Sequence, residues 1–398
     1  MSKLTVQLVV WNGAKYLPYL FASLRKQNFK EWSLLILDNN SADNSVEIIK
    51  KELNDFLIPY KLIENKNNSG FAGGHSEAFR ESNSEYVLLL NQDMYLMPDC
   101  LKKMVDFLDQ HPEAGAATPR LMRWDFASIC HLRTQHCHPR ESGDPGVSFR
   151  PDPGSRSGMT NGRQNDNAVP GETNKIDALG LKIFRNRRVV EQSTGQEWPR
   201  DVILSGTKNL LKAGVKRSFA DAQDDNIEVF GVSGAFPMYR RSALVDTILP
   251  NGNFLDVDYI LYKEDVDLAY RLASRGLKSY VLLSTVAYHD RSGAGPKELT
   301  DIAALKNKQS HSSWIKYHSY KNHLMTLIKN EHGENLILDF PVILWYEFKK
   351  FIYFLLFERA VLVELTEIWK MRRELAKKRQ YIKKHRKVNY KEIRKWWK

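Results

Sequence analysis

A chain of 398 residues that is 42% hydrophobic and 27% charged can bury a sizeable core, and its composition excludes a disordered protein. The net charge of +12 sits at one end: Lys370 to Lys398 hold 14 Lys and Arg against 2 Glu, so the rest of the chain is neutral overall. Three cysteines, Cys100, Cys130 and Cys137, in no paired spacing argue against a secreted disulfide scaffold. The start, Met1-Ser2-Lys3-Leu4, lacks the apolar core of a signal peptide, so a cytosolic or cytosol-facing protein is expected.

In chain order, Leu4 to Val10 reads as a strand ended by the turn Trp11-Asn12-Gly13, and Leu17, Leu20, Phe21 and Leu24 then recur at helical spacing. Ser33 to Leu37 is a second strand. The polar cluster from Asp38 to Ser45 that follows is a loop with helix-capping residues, and a helix is expected from Val46 to about Leu53. Tyr60 to Glu64 is a third strand, and Asn68-Ser69-Gly70-Phe71-Ala72-Gly73-Gly74 opens another helix. The fourth strand, Tyr86 to Leu90, is apolar throughout, the pattern of a strand buried on both faces in a parallel sheet. It runs into Asn91-Gln92-Asp93, and ligands bind at that end of the strands in such sheets. The alternation predicts an α/β fold, a doubly wound and mostly parallel sheet.

A helix from about Pro98 to His111 and a short strand near Ala116-Ala117 follow. Apolar periodicity then fades from His136 to about Asn174 and from Pro199 to about Asn226, and these stretches are read as insertions (136–174 and 199–226) into an older fold. Native patterning returns between them at Lys175 to Phe184, and after them at Glu228 to Arg240. A helix from about Val266 to Arg275 and a strand from Ser279 to Val286, ending at Tyr288-His289, complete a first domain over 1–300. Cys130, His131, His136, Cys137 and His138 fit no zinc-binding spacing, and no phosphate-binding glycine loop is present. Acids instead recur at strand ends and at one helix start: Asp38, Asp93 and Glu264-Asp265-Val266-Asp267.

Val9-Val10-Trp11-Asn12-Gly13, Asp38-Asn39-Asn40-Ser41, Asn68 to Gly74, Asn91-Gln92-Asp93, Gly234-Ala235-Phe236 and Tyr262 to Leu268 stand in the order found in family 2 glycosyltransferases. The branch this chain most resembles is the bacterial rhamnosyltransferase-like one. The resemblance implies a GT-A fold, a dTDP- or UDP-sugar donor and a divalent ion, Mg²⁺ or Mn²⁺. It places Asp38 on the pyrimidine base, and Asn12, Asn40, Asn68, Gly70, Phe71, Gly73, Gly74, Asn91 and Gly234 around the nucleotide-sugar. Asp93 would hold the metal with His289, and Asn91 stands where the commoner motif has its first Asp. Asp265 is the expected general base of an inverting displacement, with Glu264 the runner-up; His75 replaces a frequent Asn.

The region 301–398 is expected to be helical. From Leu336 to Phe357 apolar and aromatic residues dominate, but Asp339, Glu347, Lys349 and Lys350 interrupt them, which suits an interfacial amphipathic helix better than a spanning one. The basic tail behind it suits an anionic membrane surface, with nucleic acid the weaker candidate partner. The reading that results is a peripheral enzyme on the inner face of the cell membrane, adding a sugar to a lipid-linked or polysaccharide acceptor for the cell envelope. The competing reading is a non-catalytic binding protein descended from such an enzyme.

Overall fold

The computed structural model describes residues 2–129, 169–198, 225–291 and 312–397. The first seven elements fall almost where the apolar periodicity puts them: β1 (Leu4–Val10), α1 (Leu17–Arg25), β2 (Trp32–Asp38), α2 (Ser45–Leu53), β3 (Tyr60–Glu64), α3 (Gly70–Arg80) and β4 (Tyr86–Leu90). Next come β5 (Met94–Leu96), α4 (Cys100–Gln110), β6 (Ala114–Trp124), β7 (Glu172–Ala178), β8 (Leu181–Ile183), β9 (Val189–Glu191), β10 (Asn226–Val229) and β11 (Met238–Arg240). Then α5 (Arg241–Asp246), α6 (Glu264–Ser274) and β12 (Lys278–His289) follow.

One 10-stranded sheet runs β10-β12-β6-β11-β4-β1-β2-β3, with β5 added to β12 and β7 to β6. Strands β3, β2, β1 and β4 are mutually parallel, and β11 inserts antiparallel between β4 and β6, so the sheet is mixed. β4 explains its own composition. Tyr86, Leu88 and Leu90 face α1 and α4, while Val87 and Leu89 face α3 and α6, so both faces are buried.

Two strands depart from expectation. β6 is 11 residues long rather than a short piece around Ala116-Ala117. Pro119 and the interspersed Arg120 and Arg123 break its apolar run, and the register with β12 jumps from Leu282↔Pro119 to Val286↔Arg120 where Pro119 has no N–H to give. β5, not foreseen, pairs antiparallel with the end of β12, setting His289 opposite Met94. Most of the two segments read as insertions lies outside the described residues. Residues 169–174, assigned to the first of them, are part of the fold: Val169 is buried, Trp124 Nε1 donates to the Pro170 carbonyl at 2.6 Å, and β7 starts at Glu172. The Cys130–His138 group also lies outside the described residues, while Cys100 is buried in the core.

The carboxyl-terminal region is helical, as expected: α7 (Ser313–Asn330), α8 (Gly333–Leu338), α9 (Phe340–Phe357), α10 (Arg359–Glu364), α11 (Thr366–Lys370), α12 (Arg372–Lys384) and α13 (Tyr390–Arg394). It packs against the sheet domain through α7 and α12, and Trp397 is buried against Phe230 and Tyr270. Part of the basic tail is neutralised there: Lys378 meets Asp256 and Asp258, Lys387 meets Asp246, Arg394 meets Asp339 and Lys395 meets Glu228.

Candidate active site

The parallel strands deliver their loops to one edge of the sheet. At the end of β2, Asp38 is buried, and its Oδ2 accepts the Ser41 N–H at 3.0 Å while its Oδ1 has no partner. A buried acceptor left open is costly unless a ligand fills it. Beside it Asn12, at the end of β1 with φ 50°, accepts from the Ala42 N–H at 2.8 Å and donates its own N–H to Ser41 Oγ at 3.0 Å. Gln92 bonds both the N–H and the carbonyl of Trp11 at 3.0 Å, which ties the β4 turn to the β1 turn.

Asn40 is exposed with φ 63°, and its neighbour Asn39 does the structural work of the motif. The Asn39 side chain donates to the Gly70 carbonyl at 3.1 Å and accepts from the Ser69 N–H at 2.9 Å, fixing the start of α3. The sequence reading missed Asn39 as a positioning residue, although an Asn buried among polar loop residues is a detectable signal. Asn68 Oδ1 accepts the Gly70 N–H at 2.8 Å. Gly70 has φ +71°, and a Cβ there would stand 2.9 Å from the Ile260 carbonyl oxygen, so glycine is required twice over. Phe71 is half-buried against the second core cluster and edge-on to His75 at 4.4 Å. A Cβ on Gly73 would meet Ser69 Cβ at 2.8 Å, and one on Gly74 would meet Val9 Cγ1 at 2.9 Å, so Gly74 lets α3 approach β1. His75 points inward: it is fully buried, its Nδ1 lies 3.3 Å from the Gln7 side-chain amide, and burial pushes its pKa down to about 3.

At the end of β4 the Asn91 N–H donates to the Ala235 carbonyl at 3.1 Å, which aligns β4 with the turn after Ser233. Asp93 follows, and the unforeseen pairing of β5 with β12 sets it opposite His289: Asp93 Oδ2 lies 3.4 Å from His289 Nε2. On the other side His289 Nδ1 is 2.9 Å from Asp177 Oδ2. Burial opposes charging the ring, but the two carboxylates outweigh it and push its pKa up to about 10. Asp177 Oδ1 has no hydrogen-bond partner, and Arg291 sits beside it and pairs with Glu191, which accepts from Ser233 Oγ at 2.8 Å. Asp177 and Glu191 were not singled out from the sequence, because only the pairing of β7 with β6 brings Asp177 to this edge and the β8–β9 pair brings Glu191.

Among the described residues no cluster of three His, Cys, Asp or Glu is arranged to hold a metal unaided. The donors nonetheless fit a divalent ion completed by ligand oxygens. A cation beside Asp93 would take the place of the ring proton on Nε2 while Nδ1 donates to Asp177, the carboxylate–histidine arrangement that orients metal-binding imidazoles.

The acid pair opens α6. Asp265 Oδ2 accepts the Gly234 N–H at 3.2 Å and Oδ1 the Val266 N–H at 2.7 Å. Glu264 is buried with Oε2 unpartnered, and burial and the Asp265 charge push its pKa up to about 8. Burial also raises the pKa of Asp265, although Lys263 and the two amides oppose the rise. The backbone before the pair is strained: Ile260, Tyr262 and Lys263 have φ of 38°, 67° and 72°. Such conformations cost on the order of 1–3 kcal/mol each and persist only where the surroundings dictate them.

This edge holds acids at the ends of β2 and β4, a histidine at the end of β12, and an acid pair behind a strained turn. Residues 5–151 match the family model described as Glycosyl transferase family 2. The chain carries a glycosyl transferase family 2 domain. That match and the mixed, mostly parallel sheet make the fold GT-A-like α/β. A stretch of 113 residues is 29% identical to the poly(ribitol-phosphate) beta-N-acetylglucosaminyltransferase TarS of Staphylococcus aureus strain Mu50, covering 28% of this chain and 20% of TarS. Another of 118 residues is 27% identical to the poly-beta-1,6-N-acetyl-D-glucosamine synthase of Staphylococcus epidermidis, covering 29% of this chain and 28% of that protein. The matches thus span less than a third of each relative. The crystal structure of S. aureus TarS 1-349 superposes with a TM-score of 0.43 and 15% identity over 85% of this chain and 83% of that one. The family 2 domain therefore contributes Asp38 and Asp93, whereas Asp177, Gly234, Asp265 and His289 come from beyond residue 151.

Proposed function

We propose that this protein is an inverting, metal-dependent glycosyltransferase that moves a sugar from a pyrimidine nucleotide-diphosphate donor to a hydroxyl of a cell-envelope glycan precursor. The observation that supports this best is the placement of Asp38, Asp93 and His289 on one edge of the sheet, at the carboxyl ends of β2, β4 and β12. The open Asp38 Oδ1 is an acceptor for the N–H of a uracil or thymine ring. Asp93 and His289 would hold Mg²⁺ or Mn²⁺, which when bound supplies Lewis-acid stabilisation of the departing diphosphate. Asp265, held by the Gly234 N–H, takes the proton from the acceptor hydroxyl as its oxygen attacks the anomeric carbon; the bond to the diphosphate breaks on the opposite face. Glu264, protonated below a pH of about 8, remains a neutral neighbour. Within the resemblance to the rhamnosyltransferase-like branch, dTDP-rhamnose is the first donor to try.

The same reading puts the enzyme at a membrane. Asp339 bonds Arg185 and Arg187, and Glu347 bonds His323 and Lys350, so three of the four charges that interrupt the apolar run turn inward, while Lys349 is exposed. Phe340, Leu344, Trp345, Phe348, Phe351, Leu356 and Phe357 of α9 face outward, and Trp345 is 61% exposed. A helix packed on a soluble core shows the reverse pattern, so this one suits the headgroup boundary of an anionic bilayer. No described helix is long and apolar enough to cross a membrane.

The test is thermal stability with dTDP and with UDP, each with and without Mn²⁺, on the natural protein and Asp93→Ala. A ligand at about 100 times its Kd stabilises by about 2.7 kcal/mol. A metal-dependent shift that Asp93→Ala loses supports the donor site; no shift with either nucleotide overturns it. Sedimentation with anionic and with neutral vesicles, repeated on Trp345→Glu, tests the membrane surface: binding unaffected by that change would overturn the role of α9.

A further inference from the structure

The strained turn Ile260 to Lys263 delivers Glu264 and Asp265, and besides its contacts with Gly70 and with the Val189 carbonyl it is held by the carboxyl-terminal helices. Asn322, in the middle of α7 and fully buried, points its amide nitrogen at three carbonyls of that turn, Tyr259 at 3.0 Å, Leu261 at 2.8 Å and Tyr262 at 2.8 Å. Two N–H groups shared by three acceptors form a clamp across the turn. Asn322 Oδ1 has no partner, so the residue is in place for what its nitrogen does.

The turn is pinned again on its amino-terminal side. Tyr259 hydroxyl and Thr326 Oγ1 of α7 are 2.8 Å apart. Lys329, one helical repeat further on and fully buried, pairs with Asp256 and with Asp267, the latter at 2.9 Å. Lys378 of α12 reaches Asp256 and Asp258, each at 2.6 Å. The turn also touches the donor loop, because the Ile260 carbonyl oxygen lies 2.9 Å from where a Gly70 Cβ would stand.

We propose that Asn322 is a positioning residue of the acceptor-activating acid, and that helix α7 is therefore part of the catalytic framework. Residues with positive φ and a β-branched or bulky side chain relax to ordinary backbone once released, and relaxation at Ile260, Tyr262 and Lys263 moves the start of α6. Asn322 itself bonds no residue of the elements that carry Asp38 or Asp93 and reaches the donor loop only indirectly, through the Ile260 carbonyl beside Gly70, so donor binding is expected to survive a shift of the acid. This rests on the glycosyltransferase reading for its kinetic arm alone.

The experiment compares the full-length natural chain with Asn322→Ala and Asn322→Ser, each checked by thermal melting. Four quantities are read: Mn²⁺-dependent nucleotide binding, kcat and donor KM for transfer, and amide hydrogen exchange of residues 259–264. The expected result is unchanged nucleotide binding and donor KM, kcat lower by on the order of 100-fold in Asn322→Ala as for an ångström-scale misplacement, partial recovery in Asn322→Ser, and faster exchange confined to the turn. A folded Asn322→Ala with natural kcat and natural exchange overturns the proposal. So does a proportional loss of nucleotide binding, or failure of both variants to fold, since either makes the role global. If the natural chain transfers no sugar, the glycosyltransferase reading fails, and the exchange measurement still decides the clamp.

Discussion

Two clusters in this molecule set acids against cations, and they differ in how completely they are satisfied. Deep under α6, all four carboxylate oxygens of Asp256 and Asp267 are taken, by Lys329, Lys378, Arg271, Asn330, the Tyr259 hydroxyl and the Asp258 N–H. Burial opposes ionising either acid, but the surrounding cations hold both below the ordinary carboxylate range. At the sheet edge the account does not close: Asp38 Oδ1 and Glu264 Oε2 are buried without hydrogen-bond partners, Asp177 Oδ1 has only the Arg291 guanidinium at 3.6 Å, and His289 faces a carboxylate on each side. A saturated network holds a fold together, whereas an unsaturated one has room for a substrate. Composition alone cannot separate them, since Asp267 and Asp265 sit two residues apart in the same Glu-Asp-Val-Asp run.

The sharpest way to break this distinction is to change one acid from each side. Asp265→Asn keeps the shape and removes the base, so transfer should fall by roughly 10²–10⁴-fold with little change in unfolding free energy. Retained kcat in that variant would remove Asp265 from the chemistry. Lys329→Met should do the opposite, leaving Asp256 and Asp267 short of a buried cation and costing roughly 3–5 kcal/mol in urea unfolding. A loss below about 1 kcal/mol would mean the deep cluster is less interdependent than its geometry indicates.

The smallest effect concerns Glu264, which Lys263, Asp265, Tyr239 and Tyr262 surround. Its folded pKa is raised to about 8 from 4.5, so the folded state holds the proton more tightly than the unfolded chain. The associated stability is fully present below pH 4.5 and is lost progressively as pH rises to about 8. Glu264→Gln cannot lose it, and should therefore gain on the natural protein between about pH 5 and 8 in thermal melts while keeping transfer activity. A variant that melts in parallel with the natural protein across that range would show that Glu264 is not held protonated. Loss of transfer would make Glu264 the base.

What was legible in the sequence was whatever local periodicity and turn chemistry determine. β1 to β4, their helices and Asp38 and Asp93 at the strand ends follow from apolar runs broken by polar turns, because a strand buried on both faces allows little else. His289 at the end of β12 was legible for the same reason. The charge of the tail was also plain, but where it points was not. A sequence shows that 14 basic residues lie together; only packing decides that Lys378, Lys387 and Lys395 turn onto acids of the sheet domain and Arg394 onto Asp339. The same holds for Asp339 and Glu347, which reach Arg187 and His323 in other elements, and for α9, whose apolar residues face outward.

Tertiary structure alone joined Asp177 to His289, through β7 pairing with β6 and β6 with β12, and it alone set Asn322 against a turn some sixty residues earlier. Hydrogen bonds of that separation leave no periodic trace, since neither residue's neighbours along the chain share the contact. The strands and their terminal acids were written in local sequence; the partners that orient those acids were decided by which surfaces the folded chain brings together.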